Sequence, residues 1–184
     1  MTESLRPLVL VSSKTGNTRL AAHALVDAFP GARLVAAEEL DEFPEPLDAF
    51  DTVFLGFWCD RGQAPEGIVR AAARLEGKRI GCFATMGGDP TSEKAIDWMR
   101  RTSEALATEG RNNTLVVRFL CRGRIAPALF GEGCPISPER EARRLAAETH
   151  PDRLDLLRLT ETFREAFGKS ACMSSDVADS DTKR

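Results

Sequence analysis

A four-residue apolar run, Leu8-Val9-Leu10-Val11, passes directly into Ser12-Ser13-Lys14-Thr15-Gly16-Asn17-Thr18, after which helical periodicity begins. No other stretch constrains the fold as strongly. A short continuous apolar run bounded by turn residues suits a strand covered on both faces, as in a parallel sheet. The junction sets hydroxyls, exposed backbone N–H groups and a helix N-terminus in one place, and those are the parts of a phosphate-binding site. Ser13, Thr15 and Thr18 offer hydroxyls, while Lys14, Gly16 and Asn17 offer backbone donors, with Gly16 allowing close approach to a ligand. An ordinary strand-to-helix turn capped by a threonine is the plainer reading, but this loop carries no acidic residue. The GxxxxGK[ST] spacing of a nucleoside-triphosphatase loop is missing.

The alternation begun here continues. Strands are predicted at residues 8–11, 32–35, 53–57, 79–84 and 115–120, and helices at 18–29, 66–75 and 91–108. Residues 40–50, rich in proline and acids, predict a loop or at most a short helix. Five strands separated by helices imply right-handed crossovers and an α/β fold, a parallel sheet with helices on both faces. Residues 121–136, with Gly123, Pro127, Gly131, Gly133 and Pro135, predict an irregular excursion. A helix then starts at Ser137, with Pro138 in its first turn and Glu139 and Glu141 complementing the dipole. Pro151 interrupts it, and 152–167 form the last helix, with Leu156, Leu159 and Phe163 on one stripe. One domain over 1–167 and a frayed polar tail over 168–184 complete the expected layout.

Bulk properties narrow the function. At 184 residues, 42% hydrophobic and 29% charged, the chain suits one soluble domain. A net charge of −3 gives no support for a nucleic-acid surface. No apolar run approaches the roughly 20 residues of a membrane helix, and Met1 to Pro7 lack a signal-peptide core, so a cytoplasmic protein is expected. The cysteines, five and without a CxxC pair, predict neither a disulfide framework nor a zinc site. Neither His23 nor His150 has a metal-like cluster of neighbours in sequence, and no metal ligand is assigned. Cys134 and Arg140 match the C-x5-R spacing of tyrosine phosphatases by chance: Pro135 and Pro138 remove N–H donors, and Glu139 repels an anion.

The order Ser-x-Thr-Gly-Asn-Thr at 13–18 resembles the phosphate loop of flavodoxins, which hold flavin mononucleotide (FMN). The resemblance covers roughly residues 6–121. It implies a flavodoxin-like doubly wound five-stranded parallel sheet of order 2-1-3-4-5, in which strands 1 and 3 flank the switch point. The loop after strand 3, Gly56-Phe57-Trp58-Cys59-Asp60-Arg61-Gly62, then faces the first loop, and Phe57, Trp58, Cys59, Asp60 and Gly62 become cofactor-site candidates. Trp58 offers a flat stacking surface, or else plugs the space under the loop. The resemblance gives Gly62 the part of the glycine beside flavin N5, while Cys59 suits a small buried residue. Thr85-Met86-Gly87-Gly88 after strand 4 would bring backbone donors to a planar ligand, although a plain turn before a helix explains Gly87-Gly88-Asp89-Pro90 almost as well.

Two departures qualify the resemblance. Tyrosine is absent from the chain and no aromatic follows Gly88, so Met86 is left to cover the outer ring face. The chain is only slightly acidic, and Arg61 opposes a wholly acidic docking face. Residues 119–125 and 137–140 resemble a compact subgroup of flavodoxin-domain proteins that accompany bile-pigment reductases. The function implied is FMN-dependent electron transfer to or from a redox partner protein, a reductase or an acceptor enzyme, as a monomer or a dimer. The alternative is an FMN-dependent reductase acting directly on a quinone or tetrapyrrole, and a third class is a non-flavin interaction module. Asp60 and Asp89 are the only acids in the second and third loops, and no catalytic residue is assigned.

Overall fold

Strand β1 (Leu8–Val11) is buried at every residue and lies inside the sheet, with a neighbouring strand on each side. In the computed structural model, which describes residues 5–126 and 136–168, it pairs in parallel with β2 (Arg33–Ala36) on one side and β3 (Thr52–Trp58) on the other. β4 (Arg79–Met86) and β5 (Thr114–Arg122) complete a parallel sheet of order β2-β1-β3-β4-β5. Helices α1 (Asn17–Ala28), α2 (Glu66–Ala73) and α3 (Glu93–Glu109) alternate with the strands, and α4 (Pro138–Ala146) and α5 (Arg153–Gly168) follow β5. The sheet and its order are those the resemblance implied.

Side chains alternate between two apolar layers, as the pleat requires. On one face Val9, Val11, Phe54 and Phe83 meet Ala21, Ala22 and Leu25 of α1 and Leu159, Phe163 and Phe167 of α5. On the other, Leu8, Leu10, Leu55, Phe57, Ile80 and Cys82 meet Ile68 and Ala72 of α2 and Trp98, Met99 and Leu106 of α3. Glycine in the strands makes room for these rings. A Cβ on Gly56 would lie 2.2 Å from Cζ of Phe83, its register partner on β4. A Cβ on Gly81 would lie 2.6 Å from Cε1 of Phe163. Phe163 also meets Phe54 edge to face, with centroids 4.9 Å apart.

Three details differ from the sequence reading. β4 runs on to Met86, so β5 finds partners up to Arg122, and Cys121 and Arg122 pair with Thr85 and Met86. The irregular excursion therefore starts at Gly123. Residues 40–50 overlap two 3₁₀ turns, Ala37–Glu42 and Leu47–Ala49, rather than one helix, with Pro46 at the N-cap of the second. Between Ile80 and Gly81 the β4–β5 register shifts, since their partners are Leu115 and Val117; Val116 is the extra residue of a bulge. The predicted fraying tail beyond Gly168, and Cys134 with most of the excursion, lie outside the described residues.

Gly56→Ala should destabilise the protein by about 1–3 kcal/mol through overpacking. At about 2–4 °C per kcal/mol for a chain of this size, the melting temperature should fall by about 2–12 °C. Adding Phe83→Leu should recover part of that loss in the double variant; thermal melts of all four proteins check it.

Candidate cofactor cleft

At the carboxyl ends of β1 and β3 the chain leaves toward opposite faces of the sheet, and the divergence opens a cleft. The Ser12 N–H still donates to Gly56 O at 2.9 Å, one residue past β1, so the two departing loops start side by side. The Ser12 hydroxyl is buried and donates to Glu38 Oε1. Gly16 then takes φ +90° as N-cap of α1, a left-handed conformation that side-chain-bearing residues adopt at a cost. A Cβ there would meet nothing within 4 Å, so this backbone corner is open to a ligand.

The hydroxyls of this loop divide their work. Ser13 Oγ accepts from the Arg19 N–H at 3.2 Å, inside the first turn of α1. Thr18 and Thr85 Oγ1 atoms hydrogen-bond at 2.9 Å, both buried, and tie the start of α1 to the end of β4. Thr18 is therefore turned into the protein, and the exposed Thr15 is the hydroxyl left to face the cleft. Asn17 Nδ2 donates to Arg124 O at 2.8 Å and to Thr15 Oγ1 at 3.2 Å. Gly123 permits that reach: a Cβ on it would stand 2.8 Å from Asn17 Nδ2.

After β3, Asp60 and Gln63 exchange both backbone hydrogen bonds, at 3.0 and 2.9 Å. Arg61 and Gly62 between them have φ +50° and +84°, the pattern of a type I′ two-residue turn. Before that hairpin, Trp58 is half-buried, with Lys14 Nζ 5.2 Å from its ring centroid, a cation over an aromatic face. Phe57 points the other way. It is fully buried and meets Trp98 edge to face at 6.0 Å, so it supports the cleft from the core instead of lining it. Burial pushes the Cys59 thiol up from its ordinary value, which keeps it protonated and unreactive near neutral pH.

The third loop is held from three sides. Ile125 packs on Gly87, where a Cβ would come within 2.6 Å of its Cγ1. Asp89 Oδ1 accepts from the Thr91 N–H at 3.0 Å and its hydroxyl at 2.8 Å, and these bonds hold its carboxyl below the usual range. It is a turn-forming carboxylate, not a poised acid. Arg122 donates to Gly88 O at 3.3 Å and Ala146 O at 3.1 Å, and its guanidinium lies 3.7 Å from Asp89.

The loops enclose a cleft of about 420 Å³. Of the residues predicted from sequence, it gathers Lys14, Thr15, Asn17, Trp58, Cys59, Thr85, Met86, Gly87 and Gly88. Ser13, Gly16, Thr18, Asp60 and Gly62 stand around these in the same loops without lining its wall, and Phe57 lies in the core. Sequence reasoning missed Gly123, Arg124 and Ile125 after β5 and Arg140 and Arg143 on α4, and placed Arg61 at the docking edge and not in the wall. The clustered arginines of 122–124 and 140–144 were the available signal. Five of the lining side chains, Lys14, Arg61, Arg124, Arg140 and Arg143, are basic, and among the described residues none is acidic. The donors, the open glycine corner and the indole wall fit a flat anionic ligand.

One expectation about histidine needs correcting. Ligand atoms of His150, Asp152 and Asp155 lie within 4.8 Å of one another, brought together where Pro151 turns the chain into α5. Asp152 and Asp155 cap each other's N–H groups at 2.9 and 3.0 Å, and His150 Nδ1 meets Asp155. These contacts explain the cluster as a helix start. The His150 carbonyl also accepts from the Arg124 N–H at 2.7 Å, bracing the segment that Asn17 holds from the other side.

Comparison with known proteins agrees with this geometry. The family model for the flavodoxin domain matches residues 8–164, and the chain belongs to that family. The flavodoxin-like domain-containing protein BilS of Clostridioides difficile (strain CD3) is 26% identical over 162 residues, spanning 83% of this chain and 90% of that protein. Oxidised flavodoxin 2 of Bacillus cereus superposes with a TM-score of 0.57 at 18% identity, covering 89% of this chain and 98% of its own. A flavodoxin of Streptococcus pneumoniae TIGR4 gives 0.54 at 13% identity, over 90% and 99%. Among the described residues no helix is long and apolar enough to cross a membrane.

Asn17→Ala should release the segment after β5 from the first loop, costing about 0.5–1.5 kcal/mol for the lost hydrogen bonds. Amide exchange at Arg124 and Ile125 should accelerate while exchange in β1 and β3 stays slow. Equal acceleration in both places would show a global loss instead.

Proposed function

We propose that this chain holds FMN in the cleft and passes electrons between that cofactor and a partner protein. The observation that carries the reading is the loop at 12–18, free of acids and opened by Gly16 at a helix N-terminus, set across the switch point from the Trp58 indole. Thr15, the N–H groups around Gly16 and the Lys14 ammonium supply donors and charge for a phosphate dianion. Trp58 supplies a flat apolar wall that excludes water from one ring face. Gly87 and Gly88 leave backbone within reach of the polar edge of the ring, and Met86 lines the same cleft and is available to cover the opposite face. When bound, FMN supplies the redox chemistry; the protein positions it and adjusts its potentials through stacking, hydrogen bonds and charge. Asp89 is committed to Thr91 and Arg122, which favours a carrier over an enzyme with its own proton donor.

A second reading rests on an adjoining cavity of about 660 Å³, which shares Cys59, Arg61, Met86, Gly88 and Arg143 with the cleft. It has room for a small acceptor such as a quinone or tetrapyrrole, reduced directly. Loaded protein supplied with NADH or NADPH and a quinone, without any partner, should turn over no faster than free FMN. Turnover well above that level would make the protein a reductase in its own right.

Thr15→Ala should weaken FMN by about 1.5–3 kcal/mol, the worth of a hydrogen bond to a charged group. Riboflavin, which lacks the phosphate, should bind the variant almost as it binds the parent. Equal losses in fluorescence titrations of the two ligands would remove the phosphate from this loop. Trp58→Ala should restore flavin emission quenched in the parent and weaken binding by about 0.5–1.5 kcal/mol beyond lost burial. Unchanged quenching would leave Trp58 as a plug under its loop.

A further inference from the structure

The net charge of −3 conceals an uneven distribution of charge. Residues 38–51, which join β2 to β3, contain seven acids and no basic residue, and Asp41, Glu45 and Asp48 among them pair with Arg74, with Arg6 and Arg33, and with Lys78. That segment belongs to the β2 side of the sheet, and β5 forms the opposite edge. On the β4–β5 side the two adjoining cavities have basic walls. The 420 Å³ cleft has the five basic side chains described above, and the 660 Å³ cavity adds Lys94, Arg122 and Arg101, the last paired with Asp97 at 2.8 Å. Asp89 is the one carboxylate on either wall among the described residues, and Arg122 already faces it at 3.7 Å. Arg61, Lys94 and Arg143 are exposed, and among the described residues none of them forms an ion pair.

This charge exceeds what one phosphate dianion calls for, and it extends beyond the phosphate loop. It comes from separate elements: the hairpin after β3 gives Arg61, the first turn of α3 gives Lys94, and α4 gives Arg140 and Arg143, three residues apart and so on one face. A field spread across several elements around a cleft mouth steers and orients a large anionic body, and it is screened by salt. Nucleic acid is a poorer fit to a chain whose net charge is −3.

From this arrangement we infer that the β4–β5 edge of the cleft is the docking face for a partner protein whose own contact surface is acidic. The inference rests on the carrier reading, and it specifies the sign of the partner surface and the elements that meet it. Arg61, Lys94 and Arg143 form its outer ring, and the cofactor edge would lie inside the ring, where the partner completes the cover.

The test uses two soluble haem proteins as probes, the acidic cytochrome b5 and the basic cytochrome c. Binding to the full-length, FMN-loaded protein is followed by isothermal titration calorimetry at low and high salt. Cytochrome b5 should bind more tightly than cytochrome c and should weaken at least tenfold as salt rises from about 20 to 200 mM, a range over which exposed charges become strongly screened. Lys94→Glu with Arg143→Glu should weaken cytochrome b5 at least tenfold at low salt and strengthen cytochrome c. Arg33→Glu with Arg70→Glu, an equal change of net charge away from this face, should alter either affinity less than threefold. Preference for cytochrome c in the parent, no measurable binding of cytochrome b5 at low salt, or equal effects of the two double variants would overturn the proposal. Tight binding of a duplex oligonucleotide that only the Lys94 and Arg143 pair abolishes would assign the face to nucleic acid and likewise overturn it. Visible absorbance reports flavin content in every sample, so a protein that takes no flavin refutes the carrier reading while calorimetry still decides the docking face.

Discussion

The parallel pairing of β1 with β3 governs the arrangement of the rest. Both strands are buried on two faces, so their backbone groups bond along the sheet while their side chains fill two layers at once. The pairing runs one residue beyond β1, through the Ser12 N–H to Gly56 O, and brings the first loop and Trp58 to a common starting line. From there the chain departs toward α1 on one face and α2 on the other. The gap follows from that divergence. Strand-end geometry of this kind makes a cleft wherever neighbouring crossovers run in opposite directions.

What fills the cleft is decided by chemistry added to that frame. The first loop brings glycine, hydroxyl and helix-end N–H groups. The segment after β5 brings arginine and a packed isoleucine, held between the Asn17 side chain and the His150 carbonyl. The buried Thr18–Thr85 hydroxyl pair closes the floor and keeps α1 and β4 in step. A donor-rich wall, acid-free among the described residues, suits an anionic planar molecule, and the flavodoxin-domain family to which the chain belongs accords with that reading.

Much of this was legible in the sequence, because the determining signals are local. Leu8–Val11 reads as a two-faced strand from four consecutive apolar residues, and its bounds agree with the structure. The loop at 12–18 is recognisable from its composition. The direction of individual side chains was less accessible. Thr18 and Phe57 look like site residues by position, but helix phase turns one onto Thr85 and strand alternation turns the other onto Trp98. The arginines of α4 escaped because their relevance depends on a contact across the sheet edge, made by a helix far along the chain from the glycine loop. The extension of β5 to Arg122 was hidden for a similar reason: a strand ends where its neighbour stops offering partners, and β4 continues to Met86.

Arg122 gives the cleft a mechanical property. One guanidinium holds the Gly88 carbonyl, at the rim of the ligand site, and the Ala146 carbonyl, in the last turn of α4. Its backbone is fixed in β5, so one side chain ties the loop after β4 to the outer helix across the edge of the sheet. A displacement of α4 would strain the bond to the Gly88 carbonyl, and a displacement of Gly88 would strain the bond to Ala146.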